Sequence, residues 1–297
     1  VYSTRFGVSV GWVEVRNPSP RDVDCTIRES VMYKEKATLV FDIETVPDIA
    51  KAKQLYHLDN LTDAEAFEAL KNMRRQETGG SDFFRHHLHK IVCISVVLRM
   101  GDSIRVWSLG EEDAGEAEII KRFFTAIDKY DVTLVSWNGS GFDLPVLNYR
   151  AMLHEITAPM YWELGDHYKE FRYNNYINRF HMRHIDLMDV LSLYQARASQ
   201  PLDQIASFLG FPGKMGMEGS QVYEAYLQGN IADIRHYCET DVLNTWLIHI
   251  RFQLLRGELM KADYQNEIAL LKNHLAMSQK PHHHAFLATW QEQEAKQ

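Results

Sequence analysis

A short apolar run that ends in two acidic residues is the most constraining feature of this sequence. Residues 38–45 read Thr-Leu-Val-Phe-Asp-Ile-Glu-Thr, which predicts a buried strand. In a strand, residues i and i+2 point to the same face, so Asp42 and Glu44 project together, about 7 Å apart along the strand. Their carboxylates repel each other unless a cation lies between them, which makes a divalent metal the first hypothesis. Two solvated acids at a strand end are the alternative.

The composition is that of an ordinary globular protein. The 297 residues are 45% hydrophobic and 24% charged, which is enough to bury a sizeable core. The cysteines, Cys25, Cys93 and Cys238, are far apart, so we expect a cytoplasmic location and neither a disulfide framework nor a thiolate zinc site. We expect no signal peptide and no membrane span. The net charge of −8 argues against a broad basic surface for duplex nucleic acid, but not against weak binding of a strand end.

The order of predicted elements indicates a mixed α/β fold. A strand over residues 37–44 is followed by a polar insertion over residues 48–90, in which Thr62-Asp63-Ala64-Glu65 is a capping box. A hairpin with its turn at residues 100–103, a helix, a strand and a second helix come next. Most of the remaining chain has helical spacing. We therefore predict a mixed β-sheet flanked by helices, with a helical C-terminal part.

Three stretches are candidates for carrying chemistry. The first is Asp42-Ile43-Glu44, and the second is residues 137–143, Trp-Asn-Gly-Ser-Gly-Phe-Asp. The third is residues 237–241, Tyr-Cys-Glu-Thr-Asp, in which Tyr237 and Asp241 share one face of a predicted helix. Each stretch has an ordinary alternative. Asp143 could be a helix N-cap, Tyr237 a half-buried core residue and Asp241 a solvated helix acid.

In this order and context, the three stretches resemble the motifs of the DEDD superfamily of 3′→5′ exonucleases, in its tyrosine-bearing branch. The sequence is most similar to stand-alone bacterial proteins that look like the proofreading domain of family-B DNA polymerases. Asp42 and Glu44 match the first motif, Asp143 the second, and Tyr237 with Asp241 the third. The resemblance runs over residues 37–250 and is weak over residues 48–90.

The resemblance implies a ribonuclease H-like fold and hydrolysis of phosphodiesters with two metal ions. Asp42, Glu44, Asp143 and Asp241 would hold two Mg²⁺ or Mn²⁺ ions, which prefer such oxygen ligands, and Tyr237 would orient the attacking water. The implied substrate is single-stranded DNA or an unpaired 3′ end. An RNA exonuclease and an inactive nuclease fold that serves as a binding module stay open as alternatives. No protein partner follows from the sequence.

The histidine-bearing branch of the superfamily is the alternative for the third motif. That branch places a histidine five residues before the last aspartate, where this chain has His236. At 100° per residue, Tyr237 lies about 40° from Asp241 around the helix and His236 about 140°. This spacing favours Tyr237 as the residue that faces the metals.

Five residues beside these motifs are candidate substrate contacts. Thr45 and Val46 follow the first motif, where related enzymes cradle the terminal nucleotide. Asn138 and Phe142 belong to the second motif and could contact a sugar or stack on a base. Lys214 lies on a glycine-flanked loop suited to a backbone phosphate. Core packing of Phe142 and a solvated Lys214 are the alternatives.

The remaining segments receive weaker interpretations. We predict an exonuclease domain over residues 37–275, preceded by an extension of unassigned role over residues 1–36 and followed by a polar tail over residues 276–297. His282-His283-His284 in that tail is interpreted as exposed and incidental, although three histidines could bind a transition metal. Asp186 resembles an acid found near the site in polymerase-like relatives, and its role is unassigned.

Overall fold

The structure is a computed structural model that describes residues 36–296, and a five-stranded sheet forms its centre. The strands are β1 (Lys36–Pro47), β2 (His89–Met100), β3 (Ser103–Ser108), β4 (Asp131–Ser136) and β5 (His184–Asp186). Their spatial order is β3-β2-β1-β4-β5. The β1–β2 and β2–β3 pairs are antiparallel, whereas the β1–β4 and β4–β5 pairs are parallel. Side chains that project from β1 therefore lie at the middle of the sheet.

Ten α-helices surround this sheet within the described residues. They are α1 (Ile49–Tyr56), α2 (Asp63–Thr78), α3 (Glu116–Lys129), α4 (Asp143–Leu153), α5 (Leu187–Leu191), α6 (Leu202–Phe208), α7 (Val222–Leu227), α8 (Ile231–Arg256), α9 (Lys261–Met277) and α10 (Pro281–Glu294). The predicted fold class, a ribonuclease H-like mixed sheet with a helical C-terminal part, is confirmed. Among the described helices, none has the length and apolar character that crossing a membrane requires.

Alternating burial along β1 decides which side of the sheet receives the acidic residues. Leu39, Phe41 and Ile43 pack in the apolar cluster that contains the buried faces of α3 and α4. Val40 packs in the opposite cluster, together with α8, α9 and α10. Because side chains alternate between the two faces, the acids that share the period of Val40 project toward α8.

β1 continues beyond the end of its parallel neighbour. It pairs with β4 only from Lys36 to Val40, whereas its pairing with β2 continues to Pro47. The register with β2 shifts by one residue between Glu44 and Thr45, which marks a β-bulge. The last part of β1 therefore presents backbone groups at an edge that β4 does not cover.

The insertion between β1 and β2 is folded onto a small core of its own. Ile49, Ala52, Ala66, Leu70, Phe84 and Leu88 form a separate buried cluster. The predicted capping box is confirmed, since the Thr62 hydroxyl accepts from the Glu65 N–H and the Glu65 carboxylate accepts from the Thr62 N–H at 2.8 Å. The insertion thus returns the chain to β2 through ordered structure.

The predicted polar tail is wrong, because most of it is the packed helix α10. Phe286 and Trp290 are four residues apart, so both face the core, where they join the cluster of α8 and α9. The signal was missed because polar residues and three histidines surround these two aromatic residues. The domain boundaries stay a prediction, and the interpretation of the N-terminal extension falls outside the described residues.

Candidate active site

The two acids of β1 lie beneath α8, next to a buried thiol. The carboxylates of Asp42 and Glu44 and the thiol of Cys238 each place a potential ligand atom within 4.8 Å of the others. The Cys238 thiol donates to Asp42 Oδ2 at 3.4 Å. The sequence analysis did not include Cys238 in the site, because its position one residue after Tyr237 on a helix matches no ligand pattern.

Asp143 joins these acids from the start of α4. It is the first helical residue and Phe142 occupies the cap position, so the N-cap interpretation of Asp143 is wrong. Its Oδ1 instead accepts from the Ile43 N–H at 3.2 Å. That N–H lies on the part of β1 that extends beyond β4, so the uncovered edge of β1 holds the carboxylate of the second motif against the first.

α8 supplies the last two predicted residues. The Tyr237 hydroxyl lies beside the Asp241 carboxylate one turn later, and the charges of Asp241, Glu44 and Asp42 add to the effect of burial in raising its pKa. The preceding residue points elsewhere, because the ring of His236 stacks on that of His282, with centroids 4.1 Å apart and planes at 25°. The structure therefore brings Tyr237, rather than His236, to the carboxylates.

The four carboxylates form a strongly acidic group, in which Asp143 is buried and Asp42, Glu44 and Asp241 are partly buried. Within residues 36–296, none of Asp42, Glu44, Asp143 and Asp241 forms an ion pair with a lysine or arginine. Burial raises the pKa of all four, and repulsion by the other acids raises the pKa of Asp42 and Glu44 well above the ordinary value. The pKa values of Asp143 and Asp241 rise to about 7.

This donor set fits hard divalent cations. It offers several carboxylate oxygens in one pocket and lacks an ammonium or guanidinium partner among the described residues, so a bound cation would relieve both burial and repulsion. Cys238 is a soft donor at its edge. Magnesium and manganese match oxygen ligands of this kind better than zinc does.

The loop before Asp143 is held by Asp186. The Asp186 carboxylate accepts from the Asn138 N–H at 2.9 Å and from the Ser140 N–H at 2.8 Å. Asn138 adopts a left-handed backbone conformation with φ of 63°, which asparagine tolerates better than most residues. The role left unassigned for Asp186 is therefore structural support of the loop that carries Asn138 and leads into Asp143.

Thr45 and Val46, which follow the first motif, differ in their surroundings. Thr45 Oγ1 hydrogen-bonds to His89 Nδ1 at 2.9 Å, and burial lowers the pKa of His89 to about 4, so this imidazole is neutral at pH 7. Val46 is 1% exposed and packs with Cys93, Cys238 and α7. Its side chain offers no surface to a ligand, and the contact of Val46 with a nucleotide stays a prediction.

Phe142 belongs to an aromatic surface that the sequence analysis did not find. We define the aromatic surface as Phe83, His86, His89 and Phe142. The Phe142 ring centroid lies 5.5 Å from that of Phe83 and 5.0 Å from that of His89, and the His86 ring bonds to the Gly141 carbonyl at 2.9 Å. Phe83 is 53% exposed. Three of these residues belong to the insertion, whose polar sequence gave no sign that its end returns to the second motif.

Lys214 lies near Asp241 on a loop that α8 fixes. Asn244 accepts from the Gly213 N–H at 3.1 Å and donates to the Gly213 carbonyl at 2.8 Å. Gly213 has a φ of 68°, and a Cβ there would collide with Ser207, so glycine is required. The ammonium of Lys214 is among the causes that oppose the rise in the pKa of Asp241.

The interpretation of the three histidines is wrong for two of them. His283 is buried and His282 nearly so, and the Nε2 atoms of both rings hydrogen-bond to Glu239 Oε2, at 3.0 and 2.8 Å. They cannot be incidental surface residues, because they contact the turn of α8 that carries Tyr237 and Asp241. His284 is exposed as expected.

Comparison with known proteins gives a family. Residues 81–290, more than half of the chain, match the family described as a predicted 3′-5′ exonuclease related to the exonuclease domain of PolB. The chain belongs to this family. The resemblance proposed from the sequence is thereby confirmed at the level of a PolB-like exonuclease of the DEDD type. The matched residues include Asp143, Tyr237 and Asp241, whereas Asp42 and Glu44 precede them.

One solved structure and the curated proteins complete the comparison. The family B DNA polymerase from the hyperthermophilic archaeon Pyrobaculum calidifontis is similar at 18% identity, with a TM-score of 0.44. The match covers 74% of this chain and 24% of the polymerase, so the chain spans about a quarter of that relative's length. No curated protein matches the chain.

The raised pKa of Asp143 gives a test of how this carboxylate affects the stability of the protein. Without metal, a folded-state pKa of about 7 means that the contribution of Asp143 is favourable below its unfolded pKa and is lost as pH rises through 7. Asp143→Asn should therefore stabilise the metal-free protein at pH 8, on the order of a few kcal/mol, and have little effect at pH 4. Urea unfolding in chelator measures both values.

Manganese should reduce the difference in stability between the two proteins at pH 8. Mn²⁺ at about 100 times its Kd should stabilise the wild-type protein by about 2.7 kcal/mol and the Asp143→Asn variant by less. Glu267→Gln is the matched control, because it removes a carboxylate charge that pairs with Arg99 away from the site. Equal Mn²⁺ stabilisation of wild type and Asp143→Asn would contradict the metal site.

Proposed function

We propose that the protein is a metal-dependent 3′→5′ exonuclease of the tyrosine-bearing branch, acting on single-stranded DNA or on unpaired 3′ ends. The observation that carries the proposal is the convergence of four buried or partly buried carboxylates from β1, α4 and α8, with no lysine or arginine ion pair among the described residues. Membership in a family of predicted 3′-5′ exonucleases supports the direction of attack.

Asp42, Glu44, Asp143 and Asp241 are the proposed ligands of two Mg²⁺ or Mn²⁺ ions. Such ions, when bound, would activate a water and stabilise charge on the leaving 3′-oxygen. The carboxylates contribute by holding these charges at one fixed place: the hydrogen bond from Ile43 fixes Asp143, and Asp241 lies beside the Tyr237 hydroxyl on the same face of α8. Preorganised ligands of this kind lower the cost of ordering the site during each reaction cycle.

Tyr237 is proposed to orient the attacking water as a hydrogen-bonding group and not as a base. Burial raises the pKa of its hydroxyl, and the charges of Asp241, Glu44 and Asp42 raise it further, so the phenol keeps its proton at neutral pH. A protonated hydroxyl beside Asp241 can hold a water in line with the terminal phosphodiester. His236 has no such position, because it stacks on His282.

The surroundings of the carboxylates support a single strand as substrate. Lys214 offers a cation beside Asp241 for a backbone phosphate, and the aromatic surface offers an exposed ring beside the second motif on which a base can stack. Thr45 and Asn138 are proposed contacts of the terminal nucleotide. The preference for DNA over RNA and the cytoplasmic location stay predictions.

The activity is tested with 5′-labelled oligonucleotides of DNA and of RNA in Mg²⁺ or Mn²⁺. The wild-type protein should shorten single-stranded DNA from its 3′ end, and Asp42→Ala should lower kcat by at least about 10³-fold because it removes a ligand that both charge stabilisation and water activation require. Products resolved by length measure the rate and the direction.

Intact oligonucleotides after incubation with folded, Mn²⁺-bound wild-type protein would contradict the proposal and favour a binding module. Degradation of RNA alone would keep the chemistry and change the substrate. Asp42→Ala activity equal to wild type would show that a contaminating nuclease, rather than this site, performs the cleavage.

The choice of branch is tested by two neighbouring substitutions. Tyr237→Phe removes the hydroxyl that faces the carboxylates and should lower kcat by about 10–100-fold, the range for loss of a group that orients the ligands of a metal site. His236→Phe keeps a ring on His282 and should change kcat by less than about threefold. Single-turnover kinetics compares them, and the opposite ranking would assign the protein to the histidine-bearing branch.

The aromatic surface is tested through its most exposed ring. Phe83→Ala should raise KM for single-stranded substrate by about 5–100-fold, the equivalent of 1–3 kcal/mol of stacking, with little change in kcat. Phe208→Ala is the matched control, since Phe208 is 82% exposed but lines a groove beside Leu255 at the far end of α8. An equal KM for wild type and Phe83→Ala would remove the aromatic surface from the substrate path.

A further inference from the structure

The helical turn that carries Tyr237 and Asp241 has a buried acid on its other side. Glu239 lies two residues from each of them, which places it about 200° around the helix from both. It is 2% exposed. Whatever holds Glu239 therefore fixes the rotation and height of the turn that presents Tyr237 and Asp241 to the carboxylates of β1.

One oxygen of Glu239 is bound to the end of β3. Glu239 Oε1 accepts from the Ser108 N–H at 2.9 Å and from the Ser108 hydroxyl at 2.8 Å. The Ser108 hydroxyl also contacts that of Ser95 on β2, at 2.9 Å. Because β2 pairs directly with β1, these bonds connect the back of the α8 turn to the strand next to Asp42 and Glu44.

The other oxygen of Glu239 is bound to the start of α10. Glu239 Oε2 accepts from His282 Nε2 at 2.8 Å and from His283 Nε2 at 3.0 Å. The Lys280 ammonium lies 2.9 and 2.8 Å from the two carboxylate oxygens. Burial alone would raise the pKa of Glu239, but these hydrogen bonds outweigh burial and hold its pKa below the ordinary value, so the carboxylate is ionised at pH 7.

Two histidines and a carboxylate are also a ligand set for a transition metal. Lys280 decides against that alternative, because its ammonium contacts both Glu239 oxygens and already compensates the charge that a cation would need. The Nδ1 atom of His283 contacts the Ser278 hydroxyl at 2.9 Å, which orients the ring toward Glu239. Lys280, His282 and His283 thus form a hydrogen-bonded anchor for Glu239.

We infer that Glu239 is a positioning residue, which sets the placement of Tyr237 and Asp241 by tying the back of their helical turn to Ser108 and to the start of α10. Partners behind a metal ligand commonly change metal affinity or activity by 10–100-fold when they are removed, because they fix the ligand's orientation. The inference rests on the proposed function for its kinetic part. It also predicts a change in metal binding that can be measured without substrate.

The test uses Glu239→Gln in the full chain. The amide keeps the size of the side chain but loses the charge and cannot accept from every donor that surrounds it. We expect the Mn²⁺ Kd, measured by the electron paramagnetic resonance of free Mn²⁺, to rise about 10-fold. We expect kcat to fall by about 10–100-fold while KM for the oligonucleotide changes by less than about threefold.

Glu116→Gln is the matched control for a loss of stability alone. Glu116 is also buried, accepts from a strand N–H of Ile91 at 2.7 Å, pairs with a cation, Arg150, and hydrogen-bonds to a histidine, His154, at 2.7 Å. It has no contact with α8 among these bonds. The control should lower the unfolding midpoint as Glu239→Gln does, but leave the Mn²⁺ Kd and kcat within about twofold of wild type.

A Glu239→Gln protein with wild-type Mn²⁺ affinity and kcat would overturn the inference, whatever its stability. If this variant does not fold, Ser108→Ala and His282→Phe each remove one donor and should each raise the Mn²⁺ Kd, and no change in either would overturn it as well. A wild-type protein that binds Mn²⁺ but cleaves nothing would refute the proposed function alone. Wild-type protein that binds no Mn²⁺ would refute both.

Discussion

Repulsion among closely spaced carboxylates is the constraint on which the rest of the site depends. Four buried or partly buried acids lie together, and burial and repulsion raise their pKa values in the same direction. Without compensation, the fold would relieve this repulsion by separating the segments that carry the acids. Two hydrogen bonds between segments oppose such a separation: the Ile43 N–H holds Asp143 against β1, and the Cys238 thiol of α8 contacts Asp42.

The supporting contacts lie on every side of this pocket. Asp186 fixes the loop before Asp143 through two backbone N–H groups, and Asn244 fixes the loop before Lys214 through the N–H and the carbonyl of Gly213. Glu239 connects the back of α8 to β3 and α10. Each supporting residue is itself polar and buried or partly buried, so the stability of the pocket and its geometry depend on the same bonds. Holding the groups of a functional site in place commonly costs the protein some stability.

The sequence was sufficient for the parts of the site that follow local rules. The i, i+2 spacing of Asp42 and Glu44 and the i, i+4 spacing of Tyr237 and Asp241 are properties of single elements, and the structure keeps both. The order of elements likewise predicted the mixed sheet. The choice of Tyr237 over His236 followed from the angle between residues on a helix, and the stacking of His236 on His282 agrees with it.

The parts that were missed depend on contacts between distant segments. Phe83 approaches Phe142 only because the insertion folds back, and the buried histidines of α10 find Glu239 across the C-terminal part of the fold. The sequence of residues 276–297 gives no sign of this contact, because Phe286 and Trp290 stand among polar residues in α10. The burial of Val46 was missed for a related reason, because the position of a residue after a motif does not determine which face of a strand is buried.

The difference in length between β1 and β4 has a consequence for how this pocket can change. Parallel pairing ends at Val40 and Val135, three residues before the Ile43 N–H that Asp143 uses. A β4 extended by a few residues would compete for that same donor and would move the start of α4 away from β1. Loops and helices elsewhere can vary without such an effect. The end of one short strand therefore limits how far the neighbouring segment can be lengthened before two of the acids lose their common space.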